Sequence, residues 1–105
     1  MKEVRLAAEA LDEANDAADW YEGRRAGLGA AFLVVLDRCL DFRAEHPHAF
    51  PRLADTAPRL GIRRALLNRF PYAVVFFELP DRLQVLAVAH TSRRPGYWLS
   101  RVENA

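Results

Sequence analysis

The sequence predicts an α+β domain in which an N-terminal strand and an antiparallel helical hairpin precede a three-stranded, mostly antiparallel sheet. Two observations lead to this prediction. Apolar residues recur at helical spacing in the first half of the chain, and the spacing changes to strand-like alternation after Gly61. About half of the 105 residues are apolar, which is enough for one core, so we expect a single domain over residues 1–105.

The first half of the chain predicts one short strand and two helices. Residues 4–7 are predicted as the strand, and residues 10–25 as a helix with one apolar stripe of Leu11, Ala14, Ala18 and Tyr21. Gly23, Gly27 and Gly29 then interrupt the pattern. The second helix follows and ends before Pro47; its predicted core stripe is Leu28, Phe32, Val35, Cys39 and Phe42.

The second half predicts a loop and three strands. Residues 46–61 contain three prolines and no periodic segment, which indicates a loop. Residues 62–67 alternate, residues 72–79 are apolar on both faces as in a central strand, and residues 82–90 return after a turn at Pro80-Asp81.

Strict alternation along the last strand assigns its side chains to two faces. Leu83, Val85, Ala87 and Ala89 form one face, and Gln84, Leu86, Val88 and His90 the other. One face is expected to pack on the helical hairpin. The other is too apolar to remain exposed to water, so we expect a segment of a partner protein to cover it.

Composition limits the classes of function. A single cysteine, Cys39, excludes an internal disulfide framework, and the N-terminus lacks the pattern of a secretory signal, so the cytoplasm is the expected compartment. No apolar run approaches the ~20 residues needed to span a bilayer. Residues 1–55 carry eleven acidic and seven basic side chains, whereas residues 56–105 carry three acidic and eight basic ones, all Arg. The second half is therefore the expected anion-binding half.

The segment after the last strand holds the most informative cluster of residues. His90 is followed within eight positions by two arginines, a tyrosine and a tryptophan: Arg93, Arg94, Tyr97 and Trp98. Such a strand end combines phosphate-binding groups, a titratable ring and surfaces for base stacking. The alternative is a purely structural role, in which His90 caps the strand and the arginines are solvated.

Several motifs together resemble the RelE/ParE superfamily of toxins, whose members include plasmid stabilisation proteins. These are Trp20-Tyr21-Glu22 followed by Gly27-Leu28-Gly29 and Phe32, Arg69-Phe70-Pro71-Tyr72 leading into Val74-Val75, and Val88-Ala89-His90 with Arg93-Arg94-Pro95-Gly96-Tyr97-Trp98. The resemblance covers nearly the whole chain. It implies the toxin half of a type II toxin–antitoxin pair, held inactive by a cognate antitoxin whose extended or helical segment wraps the toxin.

The resemblance implies one of two targets. RelE-like members cut mRNA on the ribosome without a metal, and ParE-like members poison DNA gyrase. Arg64 and Tyr97 match the RelE pattern, but the two other arginine positions hold Ala73 and Thr91. This departure slightly favours ParE-like action on gyrase over the alternative, a metal-free mRNA endoribonuclease. A third alternative is an inactive toxin fold retained as a binding module.

The two possible activities imply different roles for the candidate residues. For RNA cleavage, His90 and Tyr97 would act as base and acid, with Tyr97 alternatively a stacking platform, and Arg64 and Arg93 would clamp the phosphate. Target or nucleic-acid binding is expected from Arg63, Arg69, Arg94 and Trp98. Arg63 and Arg64 are adjacent and must point to opposite sides of the sheet.

No metal, cofactor or membrane partner is expected. Five acids of the first helix, Glu9, Asp12, Glu13, Asp16 and Asp19, are interpreted as a solvated face. His46 and His48 are interpreted as structural because zinc would need at least three protein ligands. Cys39 is expected to be a buried, inert thiol, and at least one of Trp20 and Tyr21 to pack in the hairpin core.

Overall fold

The computed structural model describes residues 3–46 and 61–104, and within them it confirms the predicted α+β fold. Strand β1 (Glu3–Leu6) leads into helices α1 (Ala8–Arg24) and α2 (Leu28–Glu45). Strands β2 (Arg63–Leu66), β3 (Tyr72–Glu78) and β4 (Arg82–His90) follow, and a 3₁₀ helix closes the described chain at Leu99–Asn104. The loop predicted over residues 46–61 lies, apart from its two ends, outside the described residues.

The sheet has the strand order β1-β4-β3-β2. The strands β2, β3 and β4 are antiparallel neighbours, as predicted, and β1 joins them as a fourth strand, parallel to β4. Because β1 is short, it pairs with β4 only as far as Val85. The rest of β4 therefore needs other partners for its backbone groups on that side.

The two helices meet at a close contact between Ala18 and Gly29. A Cβ atom on Gly29 would lie 2.4 Å from the carbonyl oxygen of Ala18, so only glycine fits there. Glu22 holds the corner together, because its carboxylate accepts hydrogen bonds from the backbone N–H groups of Gly27 (2.9 Å) and Gly29 (3.0 Å). The carboxylate thus satisfies donors at the start of α2 and complements the helix dipole.

One face of the sheet packs against both helices. Phe32 is buried in this first core and Tyr21 packs against it, with the ring centroids 5.5 Å apart, and Phe70 and Tyr72 contact both rings. Tyr21 therefore packs in the core as the sequence indicated. Leu11, predicted in the buried stripe of α1, is instead 51% exposed, because α1 turns its alanines Ala10, Ala14, Ala17 and Ala18 inward.

The predicted core stripe of α2 was only partly correct. Phe32 is fully buried, but Phe42 is 46% exposed, and Leu36 and Leu40 are buried instead. The reason is that α2 has two apolar faces. One faces the sheet, and a second, which includes Val34 and Phe42, lies along a groove at the β2 side.

A β-bulge in β4 makes the predicted assignment of faces wrong from Ala87 onward. Val75 pairs with Ala87 and Phe76 with Val85, so Leu86 is an extra residue without its own partner on β3. One extra residue reverses the phase of the alternation. Val85 and Val88 consequently both pack in the first core, whereas Leu86, Ala87 and Ala89 belong to the opposite face.

That opposite face is sealed by the chain itself, which corrects the expectation that it waits for a partner. Its buried residues form a second core of Ile62, Val75, Phe77, Leu86, Ala87, Ala89 and Trp98. Tyr97 and Val102, from the segment after β4, pack against this cluster. The C-terminal segment therefore covers the apolar surface that the sequence assigned to a partner. No helix in the described ranges is long and apolar enough to cross a membrane.

Candidate functional site

A cleft of about 590 Å³ lies at the end of the sheet, between α1 and the strand ends where β3 begins and β4 ends. Its walls combine aromatic and small apolar groups with carboxylates, an imidazole and a guanidinium. The lining residues are Glu13, Asp16, Ala17, Trp20, Tyr21, Pro71, Tyr72, Val88, His90 and Arg93. Two of the predicted site residues, His90 and Arg93, thus come together here.

His90 is the last residue of β4, and its ring is held from two sides. Tyr72 lies opposite it on β3, with the ring centroids 5.1 Å apart in an edge-to-face arrangement. Its Nδ1 accepts a hydrogen bond from the backbone N–H of Ser92 (3.0 Å) and lies 2.7 Å from the Ser92 hydroxyl. A backbone N–H can only donate, so we infer that the neutral ring carries its proton on Nε2.

Arg93 and Tyr97 form a stacked pair beside the cleft. The guanidinium carbon of Arg93 lies 4.0 Å from the centroid of the Tyr97 ring, a cation–π distance, and the Arg93 backbone N–H donates to the carbonyl of His90. The Arg93 side chain is exposed. The turn after β4 therefore fixes a cation next to the imidazole, at the mouth of the cleft.

The hydroxyl of Tyr97 points to a carboxylate of α1. It donates to Oε2 of Glu13 at 2.5 Å, and Arg101 binds the same carboxylate through Nη1 to Oε1 (2.8 Å) and Nη2 to Oε2 (3.2 Å). Burial, and then the hydrogen bond to Glu13, raise the pKa of Tyr97 to about 12. The phenol is thus protonated at neutral pH and already bonded.

Glu13 and Arg101 together replace a neighbouring strand along β4 beyond the end of β1. Glu13 Oε1 accepts the backbone N–H of Val88 (3.1 Å), and Arg101 Nη1 donates to the carbonyl of Leu86 (3.0 Å). The ion pair is largely buried, and the hydrogen bond to Glu13 raises the pKa of Arg101 against the opposing effect of burial. The pair blocks an otherwise open sheet edge.

The sequence interpretation missed both members of this pair. Glu13 was assigned to a solvated acidic face, and the structure corrects this because its carboxylate is saturated by hydrogen bonds within the chain. Arg101 was not singled out. Glu13 lies three positions after Ala10 and four before Ala17 on α1, both buried, and this helical spacing from the core stripe is the signal that could have identified it.

Arg64 lies on the other face of the sheet from His90. It pairs with Val75, which packs in the second core, and directly paired residues project to the same side. His90 pairs with Tyr72, which packs against the first core and lines the cleft. The four candidate catalytic residues therefore do not surround one common point.

The remaining predicted binding residues are dispersed. Trp98 is only 4% exposed within the second core, which corrects the expectation that its ring offers a stacking surface. Arg94 is exposed in the turn beside Arg93, and Arg63 is half-buried on β2. Arg69 lies in the turn between β2 and β3, where it lines a different groove.

This second groove, of about 720 Å³, runs between the outer face of α2 and the end of β2. Its floor is apolar, and three arginines contribute to its walls. Burial lowers the pKa of one of them, Arg43. Burial likewise raises the pKa of the Cys39 thiol, which is only half-buried and lines the same groove.

Within the described ranges, no group of three or more His, Cys, Asp or Glu side chains is arranged to hold a metal ion. His46 packs its ring against Phe42, with centroids 4.6 Å apart, and His48 lies outside the described residues. Trp20 is exposed and carries the guanidinium of Arg24 on its ring at 4.4 Å.

The fold, a helical hairpin on a mixed four-stranded sheet with a C-terminal segment behind it, is also found in a solved structure. The solved structure that shows this is a chain of the chromosomal ParDE TA (toxin–antitoxin) system from P. aeruginosa, which superposes with a TM-score of 0.69. The match covers 86% of this chain and 96% of that chain at 15% sequence identity. No protein-family model and no curated protein matches the sequence.

Proposed function

We propose that the chain is the toxin of a type II toxin–antitoxin pair, that it inhibits growth by binding DNA gyrase, and that a cognate antitoxin neutralises it. Two independent lines support the toxin role. The sequence motifs resemble the RelE/ParE superfamily, and the fold is similar to a chain from a ParDE system. Fold alone does not define function, so the choice of target depends on the site.

The separation of Arg64 from His90 is the observation that favours binding over RNA cleavage. Metal-free scission needs a base, an acid and cations around one phosphate. Arg64 and His90 lie on opposite faces of the sheet. The hydroxyl of Tyr97, the other candidate acid or base, is bonded to Glu13. For these residues to surround one phosphate, the sheet would have to rearrange so that Arg64 and His90 come to the same face.

The rim of the cleft is the surface we assign to target binding. Arg93 is exposed there, Arg94 is exposed in the same turn, and His90 and Trp20 extend the rim with rings. Guanidinium groups beside aromatic rings bind carboxylates, phosphates and planar groups without chemistry at the ligand. Such a surface suits a protein that traps its target in a complex.

The test is expression of the chain alone in a bacterial host that carries a DNA-damage reporter. We expect growth arrest with induction of the reporter, and the Arg93→Ala and His90→Ala variants should be less toxic while they unfold at the same temperature as the parent. Arg5→Ala, on β1 beside Gln84 at the start of β4 and so at the other end of that strand from His90, is the matched control and should remain toxic.

Two results would reject parts of this proposal. Arrest with mapped cuts in ribosome-bound mRNA and no DNA damage would replace gyrase binding by the nuclease mechanism. Unimpaired growth at confirmed expression of folded protein would leave the fold as an inactive binding module.

A further inference from the structure

The interior of the cleft between α1 and the strand ends is lined largely by rings. Trp20, Tyr21 and Tyr72 contribute aromatic side chains, and Ala17 and Pro71 add small apolar surface. Trp20 meets Tyr21 edge-to-face with the centroids 5.1 Å apart, and Tyr21 lies 6.2 Å from Tyr72 in the same arrangement. The volume, about 590 Å³, falls in the ~300–1,000 Å³ range of pockets that hold small organic molecules. The cleft is therefore shaped for a small planar group.

Several polar side chains of the cleft keep hydrogen-bond donors that the protein does not use. Within the part of the chain that the structure describes, the hydroxyls of Tyr21 and Tyr72 and the guanidinium of Arg93 make no hydrogen bond. His90 uses Nδ1 to bind Ser92, which leaves its Nε2–H as a further donor. Burial raises the pKa of both tyrosines, and the nearby Tyr21 adds to the effect at Tyr72, so both phenols remain protonated at neutral pH.

Acceptors for a positively charged ligand are fewer. Glu13 lines the cleft, but its two carboxylate oxygens already accept hydrogen bonds from other parts of the chain, and Arg101 balances its charge. Among the described lining residues the other carboxylate is that of Asp16, which is exposed on α1. The cleft is thus richer in free donors than in free carboxylates, and it suits a ligand that accepts hydrogen bonds.

The turn after β4 holds Arg93 in place before any ligand arrives. Its guanidinium carbon lies 4.0 Å from the centroid of the Tyr97 ring, and its backbone N–H donates to the carbonyl of His90. Tyr97 is itself fixed through its hydroxyl by Glu13. A guanidinium that is already ordered loses less entropy when it binds a carboxylate, and its N–H groups match the two oxygens of that anion.

We propose that the cleft binds a free aromatic carboxylate, a small planar ring that carries one negative charge. The ring lies against Trp20 and Tyr72, and the carboxylate accepts hydrogen bonds from Arg93 and His90. These two residues also belong to the rim assigned to the target, so a bound acid should compete with target binding. That consequence rests on the proposed function, whereas binding of the acid follows from the lining of the cleft alone.

The experiment is isothermal titration calorimetry of the full chain at neutral pH and low ionic strength. The probes are naphthylacetate, its neutral amide naphthylacetamide, the cation naphthylethylamine, and cyclohexylacetate, which keeps the charge without a planar ring. We expect naphthylacetate to bind most tightly and the amide about tenfold more weakly, because the amide loses the charge-assisted hydrogen bonds. A dipeptide of Phe and Glu, capped at both ends, should also bind more weakly than naphthylacetate.

Two substitutions in the cleft should act in opposite directions. Arg93→Gln should weaken naphthylacetate about tenfold and change the affinity for the amide little. Asp16→Asn removes a like charge and should tighten naphthylacetate about twofold while it weakens the amine. Arg5→Gln is the matched control, because it removes the same charge from an exposed residue of β1 and should leave every affinity unchanged. Thermal unfolding of each variant verifies that it is folded.

The proposal is overturned by equal affinities for naphthylacetate and its amide, by tighter binding of the amine, by no binding of any probe, or by an equal loss in Arg5→Gln. Tighter binding of the capped dipeptide would overturn it in favour of a protein segment. These outcomes are independent of the growth assay. A chain that binds naphthylacetate through Arg93 and causes no growth arrest would reject the toxin function and retain the ligand site, and arrest without binding would do the reverse.

Discussion

The hydroxyl of Tyr97 donates a 2.5 Å hydrogen bond to Glu13, a residue 84 positions earlier in the chain. This bond, with the Glu13–Arg101 ion pair, ties the C-terminal segment to α1. Because the same segment carries Trp98 into the second core, the bond links the integrity of that core to the first helix of the chain.

The first prediction concerns pH. The pKa of Tyr97 in the folded chain is about 12, above its ordinary value of 10.0, so the unfolded chain loses the phenolic proton first as the pH rises. The contribution of the protonated Tyr97 hydroxyl to the free energy of unfolding is fully present below pH 10 and is lost between pH 10 and about pH 12. Urea unfolding across this range should show a steeper fall in stability for the parent than for Tyr97→Phe. If the free energy of unfolding falls equally with pH in the parent and in Tyr97→Phe, the prediction is wrong.

The second prediction concerns the helical corner. Gly29→Ala places a methyl group 2.4 Å from the Ala18 carbonyl oxygen, so the helices must separate, at a cost of about 1–3 kcal/mol in the free energy of unfolding. Gly23→Ala is the control, since no atom lies within 4 Å of the added carbon, and it should stabilise the helix by up to about 1 kcal/mol. Equal effects of the two substitutions in urea unfolding would refute the close contact.

The third prediction concerns the cover over the second core. Trp98→Ala should destabilise the fold by about 3–5 kcal/mol, because it leaves a cavity against the sheet, and it should increase binding of a dye specific for apolar surface. Trp20→Ala removes the same side chain from a position that is 55% exposed and should cost far less. If the dye binds the parent as strongly as Trp98→Ala, the face is open in solution and the assignment fails.

The fourth prediction concerns Arg69. Arg69→Gly relieves the strain at φ 70° and should raise the free energy of unfolding by about 0.5–1 kcal/mol, the left-handed penalty less the greater entropy of glycine in the unfolded chain. Arg69→Ala keeps the strain and should show no such gain. The measurement is thermal unfolding of the parent and both variants, and only Arg69→Gly should be more stable than the parent. A gain in both would mean that the side chain, rather than the backbone, is unfavourable.

The types of the elements were predictable from the sequence, because the spacing of apolar residues shows whether a segment buries one side of a helix or one face of a strand. The change from helical spacing to alternation after Gly61 identified two helices and three strands, and β4 was predicted with its observed bounds, Arg82–His90. The corner of the hairpin was also predictable, since Gly27 and Gly29 interrupt the pattern where the helices change.

The faces of β4 could not be predicted, because Leu86 is as apolar as its neighbours and nothing local marks it as the bulged residue. The two faces of α2 posed a similar difficulty. Phe42 continues the apolar spacing from Phe32, yet it lies on the groove side rather than in the core. Spacing along one element shows that a residue is apolar, whereas the tertiary arrangement decides what covers it.

Of the candidate site, the sequence located the turn after β4 and missed its support from α1. Glu13 is one of five acids on that helix, and although its spacing from Ala10 could have indicated burial, its partners lie more than 70 positions away. Contacts of this range leave no pattern in a single sequence. The same is true of Arg64, whose separation from His90 depends on which face of the sheet each residue occupies.

The extra residue at Leu86 also decides which chemistry the cleft contains. Had β4 alternated without interruption, His90 would have turned away from α1, and Ala89 would have taken its place beside Tyr72. Loss of the bulge without loss of a residue would thus keep the composition of the strand and remove the imidazole from the cleft. When relatives of this protein are aligned, a gap misplaced by one residue here would exchange a reactive side chain for an inert one.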